Sequence, residues 1–337
     1  MSKNIKVEKQ KKKFNWRMAG YYLKSLFNNQ ICMEIGMTHK WYWAVLVFIV
    51  SILMSAVPLT VHQATASGSS FLSSTYTYEY SDNFYLFVKD MKEQGIDVTF
   101  KDGYATYTGA TPSYSNNYRI YQHKSAYEDG SNTSRIDFEV FYIPEGISFS
   151  NTISSIASTI PNTDTTSRDV SYIVFGYQAF QTALYKEGGT SSYGGVYGNY
   201  QHVTTTSITK LLSTSGTQIE NAEATTTNFK TTLDEIYIDN RYSVTWIQTG
   251  IILAVNVGVV ALMGLVIFLM TRGKNNPNRS IKFHQCYGMA AWAALTPGLI
   301  ALILGFMFTG YEIMLFVVTY GFRIMWMSMK QLRPVQQ

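Results

Sequence analysis

The charges of this chain are sorted into three blocks, and the apolar runs that separate them decide what it can fold into. Residues 1–40 carry nine Lys/Arg against two Glu. Residues 61–244 carry eleven Lys/Arg against nineteen Asp/Glu, and residues 245–337 seven Lys/Arg against one Glu. Residues 41–60 hold no charge, and about twenty apolar residues of helix cover a hydrocarbon core about 30 Å thick. Further apolar runs lie at 244–271, 286–308 and 313–329. The pattern specifies an α-helical membrane protein with four transmembrane helices. The long segment between the first and second spans must then fold in water on its own. The near-zero mean hydropathy of −0.02 averages an apolar third with a polar middle, so it does not argue against membrane residence.

Lys and Arg concentrate on the cytoplasmic flanks of spans. Basic residues precede the first span, lie between the second and third, and follow the fourth. The expected arrangement is a basic cytoplasmic tail with an interfacial amphipathic helix (1–40), span one (41–60), an extracellular α+β domain (61–243) and span two (244–271). A basic cytoplasmic loop (272–285), span three (286–308), span four (313–329) and a cytoplasmic tail (330–337) complete it. The rival for the first 66 residues is a signal peptide ending at Ala64-Thr65-Ala66. Both its basic and its apolar parts are too long for one. The expected location is the cell membrane, multi-pass, with both termini in the cytoplasm.

In the lead-in, Phe14, Met18, Tyr21, Tyr22, Leu26 and Cys32 recur at helical spacing, which reads as an amphipathic helix on the inner interface. A solvated basic tail held by anionic lipid is the alternative. Both cysteines, Cys32 and Cys286, lie at the inner side, so the outer domain has no disulfide framework. Within that domain, 83–95 reads as a helix. Segments 96–100 and 104–108 flank Asp102-Gly103 as a hairpin. Strands are expected at 118–122, 135–143 and 170–176, and a strand after a Gly turn at 193–203. Segment 147–160 is open between helix and loop, and 177–186 reads as a short helix. Segments 207–213 and 218–236 read as helix, the latter able to continue into the second span.

Chemistry is sparse. None of His39, His62, His123, His202 and His284 is paired at i+3 or i+4 in a metal-ligand pattern. There is no Gly-rich phosphate loop and no Gly-x-Ser-x-Gly elbow. The expectation is therefore no enzyme, no cofactor and no nucleic-acid partner. The outer domain is rich in tyrosine (Tyr76, Tyr78, Tyr80, Tyr107, Tyr114, Tyr118, Tyr193). Such residues stack on sugars or partners, or simply suit half-exposed strands.

Inside the spans, small residues repeat at i+4: Gly250, Ala254 and Gly258 in the second, Ala290, Ala294 and Gly298 in the third. Such stripes let helices approach closely, either within the bundle or against another membrane protein. Pro297 removes a backbone donor in the third span. The polar residues in or near spans are Asn256, Glu312 and Arg323. Arg323 is expected to snorkel toward inner headgroups, with a partner contact or transport chemistry as alternatives.

Several of these features occur together: Tyr22-Leu23-Lys24-Ser25-Leu26-Phe27 before one span, Phe100-Lys101-Asp102-Gly103 in an outer domain, and Ala293-Ala294-Leu295-Thr296-Pro297 in the second of three closing spans. In that layout the chain resembles the maltodextrin-utilization membrane proteins of low-GC Gram-positive bacteria. The resemblance implies an accessory role beside a maltodextrin ABC importer and brings no catalytic residues. The expected function is an accessory or scaffold subunit in the lipid bilayer, docked on an integral-membrane partner such as an importer permease. The alternative is a surface sensor or binding protein for an extracellular carbohydrate or cell-wall ligand.

Overall fold

The computed structural model describes residues 16–73, 77–109, 118–124, 136–159, 169–185, 192–273 and 276–332. The Lys-rich residues 1–13 and Tyr76 and Tyr114 lie outside them. The chain forms two compact units, one from Met1–Gln63 with Thr245–Gln337 and one from Ala64–Val244.

In its described residues, the first unit consists of helices joined by short turns. It holds α1 (Trp16–Lys24), α2 (Asn29–Thr38), α3 (Trp41–Ala64), the second half of α7 (Gln218–Thr271), α8 (Phe283–Ala293), α9 (Leu295–Gly305) and α10 (Glu312–Met327). Among the described residues, four helical stretches are long and apolar enough to cross a membrane: Trp41–Ala64, Gln218–Thr271, Phe283–Gly305 and Glu312–Leu332. The third, formed by α8 and α9 in succession, is the most enclosed. The stretch read as one amphipathic helix is two helices. Asn28 breaks it by capping α2, its side chain accepting from Gln30 and Ile31 N–H. Helix α2 belongs to the bundle, with Cys32, Met33, Ile35 and Gly36 buried. Gly36 and Gly288 let α2 and α8 meet backbone to backbone: a Cβ on Gly36 would lie 2.6 Å from Met289 N, and one on Gly288 2.5 Å from Gly36 O.

The second unit is α+β. Strands β1 (Asp97–Lys101) and β2 (Tyr104–Thr108) form an antiparallel hairpin turned by Asp102 and Gly103, both at positive φ (53° and 82°). That is the turn the Asp-Gly pair specifies. A second sheet has the order β3-β4-β5-β6-β7, with β3 (Arg119–His123), β4 (Ile136–Ile143), β5 (Asp169–Gly176), β6 (Ala179–Tyr185) and β7 (Ser192–Asn199). Among the described strands only β4 and β5 pair in parallel, and the α6 helix (Phe149–Thr159) lies in the connection between them, as parallel neighbours require a crossover. Both central strands are buried along their whole length. Ile136, Phe138, Val140 and Tyr142 share a core with Phe71 and Leu72 of the single turn α4 (Ser70–Ser73), with Phe84, Phe87 and Met91 of α5 (Thr77–Glu93) and with Phe229 and Leu233 of α7. Phe141 and Ile143 point the other way, to Ile156 of α6.

The helix expected over 177–186 is strand β6. Its Ala, Gln and Leu favour helix, but Phe180, Thr182 and Leu184 alternate inward and pair with β5, so tertiary packing overrides propensity. The helix expected over 207–213 shrinks to a 3₁₀ turn, Thr209–Leu211. Helix α7 starts at a capping box, Thr217 N–H donating to Glu220 Oε2 (2.9 Å) and Glu220 N–H to Thr217 Oγ1 (3.4 Å). It then runs unbroken for 54 residues.

Candidate functional site

The chemistry of the helical unit converges on Arg323, near the middle of the stretch Glu312–Leu332. Pro297 has no N–H, so the carbonyl four residues earlier, Ala293, loses its helical partner. Arg323 Nη1 donates to Ala293 O (3.2 Å) and also to Thr296 Oγ1. Its Nη2 donates to Ser25 O and its Nε to Asn29 Oδ1 (3.1 Å). One guanidinium thus ties α10 to two helix breaks, the α1–α2 elbow and the α8–α9 joint. Thr296 Oγ1 closes the set by donating to Leu26 O (2.6 Å). The expectation of a snorkelling Arg323 is therefore corrected: its donors are taken up inside the bundle. The sequence shows Pro297 and Arg323 separately, but nothing in it brings Ser25 and Asn29 to the same place.

The two small-residue stripes separate. Ala290, Ala294 and Gly298 are buried. A Cβ on Gly298 would lie 2.5 Å from Ser51 O, so α9 is seated on α3. Gly250, Ala254 and Gly258 are exposed, and a Cβ at either glycine would meet nothing within 4 Å. On the opposite side of that helix, Asn256 Nδ2 donates to Ser55 Oγ (2.7 Å) and Thr60 Oγ1 meets Thr249 Oγ1 (2.8 Å). These polar pairs fix which face of α7 turns toward α3. Glu312 is buried at the start of α10, both carboxylate oxygens accepting from Gly310 N–H, the charge favoured at a helix N-terminus.

In the α+β unit, Asp90 of α5 accepts from Tyr121 Oη and lies 3.4 Å from His123 Nδ1. The Tyr121 hydrogen bond holds the Asp90 carboxyl below its ordinary range. Asp239 accepts from Asn199 Nδ2 (2.9 Å) and meets His202 Nε2 (3.0 Å), and the first of these bonds lowers its pKa most. Among the described residues no three His, Cys, Asp or Glu gather as a metal site. On β4, Asp137 and Glu139 are buried. Desolvation raises the Glu139 pKa against the opposing pull of Arg119, 3.6 Å away.

The tyrosines divide as well. Tyr80 is buried among Phe84 and Phe138, and Tyr107 packs on Tyr142. The exposed ones were not singled out from the sequence. Tyr104 lies against Tyr177 with ring centroids 4.7 Å apart and the rings tilted by 33°, and half-exposed Tyr197 lies beside Phe149. Gly176 makes room for the Phe149 ring, so these aromatics gather where the parallel strand β5 ends.

No protein-family model, curated protein or solved structure matches the chain. The four apolar helices define a candidate multi-pass membrane protein carrying a sheet-containing unit. The resemblance to the maltodextrin-utilization proteins rests on the sequence motifs alone.

Proposed function

We propose that this protein is a non-catalytic accessory subunit of a larger membrane assembly. In this reading both termini lie in the cytoplasm and the α+β unit is displayed outside the cell. The observation that carries it is the unfilled stripe Gly250-Ala254-Gly258. In the corresponding stripe of the third apolar stretch Gly298 is covered by α3, so a small residue in this bundle is used for helix contact. The open one offers the same close approach to a helix of another protein. The sequence resemblance names a maltodextrin importer permease as that partner. The test is gentle extraction of the tagged full-length protein, followed by mass spectrometry of wild type and of Gly250→Leu/Gly258→Leu. We expect a stoichiometric membrane protein with wild type and its loss with the variant at equal abundance. Recovery of the chain alone in both cases overturns the reading.

A second reading, a surface receptor for a carbohydrate, is favoured by the exposed Tyr104 and Tyr197, with half-buried Tyr177 beside the first, since aromatic faces suit sugar rings. A ligand at a hundredfold its Kd stabilises by about 2.7 kcal/mol. Thermal unfolding with a panel of glycans would show this, and no shift for any glycan removes the reading.

A further inference from the structure

Helices α2, α3 and α8, with the span-forming part of α7, surround a cleft of about 620 Å³, within the range of about 300–1,000 Å³ that holds small ligands. Its walls are apolar, including Ala44 and Phe48 of α3, Val260 of α7 and Ala291 of α8. Val45, Val257 and Ala261 line it and are exposed, so it opens sideways from the bundle. One end differs. There Lys40 and Trp41 lead into α3, and His284 and Gln285 lie in the first turn of α8. None of the residues lining the cleft is Asp or Glu. Lys40 has no carboxylate partner among the described residues. His39 is spent as wall, its Nε2 held by Tyr22 Oη (2.9 Å). Trp292, only 5% exposed, also lines the cleft, its ring stacked on Tyr22 with centroids 5.7 Å apart.

We infer that this cleft holds one anionic glycerophospholipid. The headgroup phosphate sits at Lys40, His284 and the N-terminus of α8, where a helix favours negative charge. An acyl chain runs along Phe48 and Val260. A soluble polar ligand would leave these walls unsatisfied, and a neutral lipid would leave the Lys40 ammonium, 5.9 Å from the Tyr42 ring centroid, without an anion. The lateral opening matches a ligand that arrives within the bilayer. The inference does not depend on the proposed function, although Val257 and Ala261 at the lip lie within about 60° of Ala254 around the α7 axis and so adjoin the docking face.

The test uses full-length protein in phosphatidylcholine nanodiscs doped with photoactivatable phosphatidylglycerol, with labelled peptides mapped by mass spectrometry. We expect labelling of α3 and α8 that unlabelled phosphatidylglycerol competes and phosphatidylcholine does not. Lys40→Gln should weaken that preference about fivefold, the change equivalent to about 1 kcal/mol per basic residue near a charged headgroup. Ala261→Trp, at the exposed lip, should abolish labelling while the thermal unfolding temperature stays unchanged. If that variant fails to fold, Val45→Trp on the facing wall repeats the measurement. Equal competition by both lipids, or labelling unaltered by the blocking variants, means annular lipid only and overturns the inference. Competition by inorganic phosphate alone overturns it too, because the site would then take a soluble anion.

Discussion

Arg323 carries its charge in the middle of an apolar helix, and what makes that tolerable is the number of acceptors aimed at it. A planar fork reaches four acceptors in different directions at once, whereas a lysine ammonium is a single point with three donors. Hydrogen bonds to a charged group contribute about 1.5–3 kcal/mol each, and an abandoned buried carbonyl costs about 1–3 kcal/mol. Arg323→Lys should therefore insert normally but lose about 2–3 kcal/mol of stability, and Arg323→Leu more, read as thermal unfolding in mild detergent. A Lys variant as stable as wild type would show that the fork is not used. Glu139 poses the opposite problem. Its raised pKa means that the folded state resists the carboxylate form, so burying it costs stability at neutral pH. Glu139→Gln keeps the acceptor for Gln122 Nε2 and removes the charge. The variant should unfold at a higher temperature than wild type at pH 7–8. The gain should shrink as pH falls through the raised pKa toward the ordinary value of 4.5, where wild-type Glu139 is protonated as well. A difference that does not change with pH would point to packing rather than charge.

At the scale of elements, the glycines sort into those that carry contacts and those that do not. A methyl group on Gly36 would strike the backbone of α8, and one on Gly298 the backbone of α3. Overpacking of this kind costs about 1–3 kcal/mol. Gly36→Ala and Gly298→Ala should lower the unfolding temperature, and Gly258→Ala should leave it unchanged or raise it slightly through helix propensity. Equal effects at Gly298 and Gly258 would dissolve the distinction between a filled and an open stripe. The sequence could list both stripes but could not separate them, since i+4 spacing reports a face and not what covers it. The hairpin at Asp102-Gly103, the amphipathic α5 and the continuity of α7 were legible because local turn chemistry and helical periodicity specify them. Strand β6 was not, because its residues prefer helix and only pairing with β5 reverses that. The break at Asn28 was hidden for a similar reason: its apolar residues keep helical spacing on both sides of a cap. The centre of the site, Arg323 with Ser25 and Asn29, joins segments nearly three hundred residues apart, a distance that no local pattern spans.

At the scale of the whole molecule, the remaining question is which side of a membrane each unit occupies, and the charge blocks make a definite claim. Basic residues at three separate flanks all favour one side, and reversing the orientation would oppose that bias at every one of them. The structure also guides how to test it. Both native cysteines are buried, so they give little background with thiol reagents. Asn276 is a poor probe position, being buried with its amide donating to Met270 O and Leu332 O. Gly194 is no better, at φ 157° with a Cβ pressed onto Phe71. Ser280, in the loop between the second and third spans, and Gln201, after β7, are both exposed. With an impermeant maleimide on intact cells, Gln201→Cys should label and Ser280→Cys should label only after the membrane is opened. The reverse pattern would invert the orientation and move the α+β unit into the cytoplasm. Labelling of both positions in intact cells would mean that the helix between them, α7, does not cross the membrane, and the assignment of four spans would fall with it.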